Sequence, residues 1–156
     1  MKTMTNGSTA RLSRGLVALI VAASFLAVGG CDSDDAMPTD ADLVGLWVNV
    51  DAGQVRAFRF LAAAPPESSA ALTAKPFVYE LYFYAAGSAP AIAQRGHYSV
   101  RFERLVTEVV EAPLDPSQVG RMFGNDVRGF TGRSVTLESE SAASGERIFK
   151  LSTALP

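Results

Sequence analysis

The chain holds one cysteine, one histidine and one tryptophan among its 156 residues. Cys31 has no second cysteine to pair with, so no disulfide staples the fold. Zinc and copper sites draw on several nitrogen or sulfur ligands, and His97 is the only imidazole. No metal site and no cofactor are therefore expected. Basic residues are thinly spread, 14 Lys and Arg against 16 Asp and Glu, with a net charge of −2. Lys2, Arg11 and Arg14 fall at the very start, and no basic tract follows them. That pattern excludes tracking of a phosphate backbone, so no nucleic-acid partner is expected. A glycine-rich phosphate loop is missing. Gly132-Arg133-Ser134 lacks the following glycine of a nucleophile elbow. Any Ser–His–Asp triad would have to use His97, and nothing in the sequence singles out its partners. Glu80, Glu103 and Glu108 are the candidates for a carboxylate pair, and their places in the alternation read as outward charges. The chain reads as a non-enzyme.

What is present starts at the N-terminus. Arg11 and Arg14 precede an apolar and small-residue run from Gly15 to Gly30. The run is short for a bilayer span, which takes about 20 residues, and suits a signal-peptide core. It ends in Val28-Gly29-Gly30-Cys31: an aliphatic residue, two small residues, then the cysteine. This resembles the lipobox of bacterial lipoproteins. The resemblance implies cleavage before Cys31, a diacylglyceryl group on its sulfur with palmitate-type acyl chains, and a place in the bacterial cell envelope. There the protein would face the periplasm, lipid-anchored to the inner or outer membrane. Residues 1–30 are then the signal peptide, 31–42 a lipidated acidic tether and 43–156 the folded domain. The tether, DSDDAMPTDAD after the cysteine, has five Asp without the spacing of a calcium loop. It reads as a solvated spacer.

From Val44 onward apolar residues recur with period two, the mark of strands with one buried face. Val44–Val50 and Gln54–Leu61 are joined by an Asp51-Ala52-Gly53 turn. Residues 62–75, with Pro65-Pro66, form a long loop. In Phe77–Tyr84, Phe77, Tyr79, Leu81 and Phe83 share one face; Val78, Glu80, Tyr82 and Tyr84 share the other. Both faces are aromatic, so the second is expected to meet a ligand, a partner or a covering loop. Gln94–Glu111 reads as one or two strands hinged near Glu103-Arg104. Val127–Thr131, Ser134–Glu140 and Arg147–Thr153 complete the set. One short helix is expected over 116–123. Asp115 suits its N-cap, Pro116 its first position and Gly124 its stop, with Val119, Met122 and Phe123 on one face.

Gly45-Leu46-Trp47 heads the first strand after a short polar lead-in. That G-x-W resembles the lipocalin and lipocalin-like families. The resemblance implies a Trp plugging one end of an eight-stranded barrel, with a late basic residue, Arg147 or Lys150, packed across it. The fold expected is mainly β: an antiparallel up-and-down barrel of about eight strands with one short helix, and a β-sandwich as the alternative. Trp47, Phe58, Phe60, Phe77, Tyr79, Phe83, Tyr98, Phe102, Phe123 and Phe149 are assigned mostly to its core.

Barrels of this size are filled by side chains or hold one small ligand. The first functional expectation is a non-enzymatic binding module for a small apolar or amphipathic ligand. Its candidate residues are Phe58, Phe60, Tyr79, Glu80, Tyr82, Met122 and Phe123, with Arg59 and Arg101 as further polar groups and the helix as a lid. The second is a filled barrel acting as a protein-interaction module of an envelope complex, through Tyr82 and Tyr84 or a sheet edge.

Overall fold

A computed structural model of the protein describes residues 37–140 and 145–156. Cys31, the apolar run before it and the first residues of the acidic segment lie outside the described residues. Eight strands follow one another: β1 (Gly45–Asp51), β2 (Gln54–Leu61), β3 (Val78–Ala85), β4 (Ile92–Arg101), β5 (Arg104–Glu111), β6 (Met122–Phe130), β7 (Ser134–Ser139) and β8 (Glu146–Ser152). Each pairs antiparallel with the next, and β8 closes onto β1 through Leu46–Ser152, Trp47–Leu151 and Val48–Lys150. The result is a closed up-and-down barrel rather than a sandwich. Closure leaves no free sheet edge, which removes the hazard that open sheets carry.

Two buried clusters follow from the alternation. Trp47, Phe58, Phe60, Tyr79, Tyr98, Leu105, Val127, Val135, Leu137 and Phe149 point inward and fill much of the barrel, with Leu43 closing over them. The rings of Phe58 and Phe60 stack 5.3 Å apart, and Phe60 meets Tyr98 at 4.6 Å. Such ring pairs contribute beyond their buried area. Val55, Ala57, Tyr82 and Tyr84 form a second cluster on the outer wall. The C-terminal tail covers it: Leu155 packs there, and the Tyr84 hydroxyl donates to the Pro156 carbonyl at 3.0 Å. The second aromatic face of β3 therefore meets the chain's own terminus.

One end of the barrel is sealed. Trp47 is 1% exposed, and its indole N–H donates to the Leu43 carbonyl at 2.7 Å. Phe130 lies 6.0 Å from the Trp47 ring. It takes the place expected for Arg147 or Lys150. Lys150 pairs with Val48, on the outer parity of β1, and Arg147 lies further along β8, toward the opposite end. Asp40 adds to the seal: its carboxylate accepts from the Val100 amide, and its carbonyl accepts from the Tyr98 hydroxyl at 2.8 Å. Asp40 and Leu43 thus pack onto this end of the barrel.

The short helical elements differ from expectation. Residues 116–123 form no helix. Pro116–Gln118 make a single 3-10 turn, with the Asp115 carboxylate accepting from the Ser117 amide at 3.1 Å. Val119 is already extended, and Met122 and Phe123 open β6 opposite Glu108 and Thr107. A lone helix of that length is marginal in water, whereas ladder pairing with β5 satisfies the same backbone groups. Among the described residues, the one α-helical turn, α1 (Ala70–Thr73), lies in the long β2–β3 connection, where Leu72 is buried.

Phe102 also departs from its expected core place. It is 100% exposed at the tip of the β4–β5 hairpin, where Phe102 and Glu103 both have positive φ, 48° and 63°. Two-residue hairpin turns of this hand favour Asn-Gly, because side chains strain there. The double change Phe102→Asn, Glu103→Gly removes no buried surface. It is expected to raise stability by about 1 kcal/mol, seen as a rise of a few degrees in the melting temperature. A lower melting temperature would show that the turn carries no strain.

Candidate functional site

The lumen is split along its length. Toward the end that carries the β1–β2 turn, large inward side chains give way to a cavity of about 180 Å³. Its lining comes from strands on several sides of the barrel: Arg56 and Phe58 of β2, Leu81 of β3, Gln94 of β4, Thr107 of β5, and Phe123 and Asn125 of β6, with Ser139 of β7. Inward parity places them. Arg56 is two residues from Phe58 and four from Phe60 on the same face of β2. Arg147 pairs with the inward Leu137 and shares its face.

Phe58, Leu81 and Phe123 give the lining an apolar side, and Arg56, Gln94, Thr107, Asn125 and Ser139 make it more polar than most small-molecule sites. Arg56 stacks on the Phe83 ring at 5.4 Å, a cation–π contact at the rim. Burial holds the Arg56 guanidinium below its usual pKa, and the positive charge of Arg147 lowers it further. Beside Thr107 sits Tyr79, 1% exposed, whose hydroxyl has no hydrogen-bond partner. Burial pushes its pKa up. A buried hydroxyl without an acceptor costs about 1–3 kcal/mol.

Of the residues singled out from sequence, Phe58 and Phe123 line this cavity together. Phe60 and Tyr79 belong instead to the packed interior core. Their rings pack against other aromatic rings, Phe60 on Phe58 and Tyr98, Tyr79 on Phe58. Glu80 and Tyr82 stand on the outer wall, on the opposite parity of β3. There Glu80, 7% exposed, accepts from the Tyr82 hydroxyl at 2.7 Å and from Arg95 at 3.1 Å, and faces Arg59 at 3.6 Å. Arg59 is thereby turned away from the lumen. Met122 is 67% exposed and borders a wide outer trough of about 550 Å³, with Lys75, Phe77, His97 and Glu108. A Lys75–Glu108 ion pair of 2.6 Å lies along that trough. Tyr82 and Tyr84 are buried, so they form no exposed docking face.

His97 is buried under α1, with Nε2 3.1 Å from the Leu72 carbonyl. Its Nδ1 has no hydrogen-bond partner and lies 3.9 Å from Glu108. Among the described residues, no three His, Cys, Asp or Glu side chains gather as metal ligands. Also among them, no helix is long and apolar enough to cross a membrane. The sequence expectations do not include Arg56, Gln94 or Asn125 as lining residues, and they place Arg147 at the Trp47 end instead. The signal was there: Arg56 shares period-two parity with Phe58 and Phe60, and Arg147 with Phe149. Compared with known proteins, the chain matches no family model and no curated protein.

Proposed function

We propose that this protein is a non-enzymatic binding module of the bacterial cell envelope, tethered by lipid on Cys31, that holds a small amphipathic ligand in the open half of its barrel. The observation that carries the ligand half of this reading is the split lumen. One half is packed with aromatic rings, while the other leaves about 180 Å³ lined by Phe58, Leu81 and Phe123 together with Arg56, Gln94 and Asn125. A void of this size beside such a core has room for a molecule smaller than those that fill pockets of about 300 Å³ and above. The anchor half rests on Val28-Gly29-Gly30-Cys31 at the end of the apolar run. Acyl chains contribute about 0.8 kcal/mol per buried CH₂, so more than one chain holds a protein stably at a membrane.

Mass spectrometry of the protein purified from bacterial membranes tests both halves. Denatured, the chain is expected to begin at Cys31 with the added mass of acyl lipid; native, it carries one further small non-covalent mass. The Cys31→Ser variant is expected to keep residues 1–30 and gain no lipid. A lipid-free wild-type chain that retains residues 1–30 would overturn the anchor, and a clean ligand-free native mass would overturn the occupant.

A second reading, a protein-interaction module of an envelope complex, is favoured by one observation. Leu114 and Val119 of the β5–β6 connection and Met122 at the head of β6 are exposed, and Met122 borders the outer trough. Exposed apolar residues of this kind mark contact surfaces when they gather into a patch.

A further inference from the structure

We infer that the ligand of this lumen is an oxyanion, a short apolar body ending in a carboxylate-type head held by Arg56 at the cavity wall, with Arg147 on the neighbouring inward face of β8. The inference rests on the binding reading above and specifies the charge and size of the occupant.

Arg56 lines the cavity from β2, and Arg147 shares the inward face of β8 with Phe149, on the other side of β1. No carboxylate lines the cavity, and neither arginine has an ion pair among the described residues. Most other buried or half-buried charges here are paired: Glu80 with Arg95 and Arg59, Glu111 with Arg95, Glu108 with Lys75. Two like charges on neighbouring inward faces repel each other, and the repulsion grows as water is excluded. An anion at Arg56 offsets that repulsion. Guanidinium is also the group suited to this, since its planar fork meets a carboxylate through two parallel hydrogen bonds. The Phe83 ring lies 5.4 Å from the Arg56 guanidinium carbon, and no carboxylate competes for its N–H groups in the cavity lining. Gln94 and Asn125 supply further amide donors from the facing wall.

The apolar half of the lining sets the body. Phe58, Leu81 and Phe123 offer aromatic and aliphatic contact. A volume of about 180 Å³ is smaller than the roughly 300 Å³ at which pockets take drug-sized molecules. The body is therefore a short acyl chain or a single ring, not a long-chain lipid.

Three probes with one body and different heads separate the possibilities: phenylpropanoate, phenylpropanol and phenylpropylamine, titrated calorimetrically onto the full chain. Phenylpropanoate is expected to bind at least tenfold tighter than phenylpropanol, and phenylpropylamine not to bind. Arg56→Gln and Arg147→Gln are each expected to weaken phenylpropanoate about tenfold, leave phenylpropanol unchanged and melt no lower than wild type, because the repulsion is relieved. Equal binding of the acid and the alcohol by wild type would overturn the anion while leaving an apolar binding site in place. Binding of none of the three would overturn both that site and the anion. The wild-type comparison stands alone if either variant fails to fold.

Discussion

Gly96→Ala is expected to destabilise the barrel by at least about 3 kcal/mol, the upper end of what overpacking costs. Gly96 lies in β4 opposite Val109, next to a register shift between Arg95 and Gly96. A Cβ placed there would overlap the Glu108 carbonyl oxygen, lie 2.8 Å from the Glu108 carbonyl carbon and approach the Tyr79 ring at 3.0 Å. Two of these three atoms are backbone in the neighbouring strand, so no rotamer change relieves the clash. The strands must part or the bulge must be rebuilt. Since domains are stable by only about 5–15 kcal/mol, such a loss moves the urea midpoint far to the left. Gly129→Ala is the control. Its Cβ would meet only the Thr136 hydroxyl, at 3.8 Å, and its midpoint is expected to stay close to wild type. A Gly96→Ala midpoint close to that of Gly129→Ala would mean that β4 and β5 do not approach as described.

The strands were legible because side chains alternate across a barrel wall with period two. Gln54–Leu61 stands in the structure with the bounds its pattern suggests, and Tyr79 and Leu81 share one face of β3 as its alternation implies. The alternation could not say which aromatic face of β3 is the lumen. That depends on residues 153–156 returning to cover Val55, Ala57, Tyr82 and Tyr84, a contact remote in sequence. Glu80 and Tyr82 were misplaced for this reason. Met122 was misplaced by local helix punctuation that strand pairing overrode. Phe102 was assigned to the core by its apolar side chain, although the tight turn it occupies projects it into water. Arg56 is the residue the pattern underweights, a charge among aromatic neighbours, while Arg147 is expected at the Trp47 end and stands toward the other. Their parity with Phe58 and Phe149 was the better guide.

A lumen divided into a structural half and a binding half makes the second large prediction, a contrast between Trp47 and Phe123. Trp47 seals the packed end, holds the Leu43 carbonyl and meets Phe130. Trp47→Ala is expected to cost about 3–5 kcal/mol, from lost burial and the cavity left behind. Its folded fraction in the cold still binds phenylpropanoate, because Arg56, Phe58 and Phe123 lie toward the other end. Phe123 is half-buried at the cavity wall. Phe123→Ala is expected to cost less than about 1.5 kcal/mol, since little packed volume is lost, and to weaken phenylpropanoate at least tenfold.

Calorimetric titration of phenylpropanoate onto these two variants, each with its urea midpoint, is the most direct measurement. Loss of stability with binding retained for Trp47→Ala, and loss of binding with stability retained for Phe123→Ala, is the result a split lumen requires. Undiminished affinity in Phe123→Ala, or two variants that lose stability and affinity together, would contradict it.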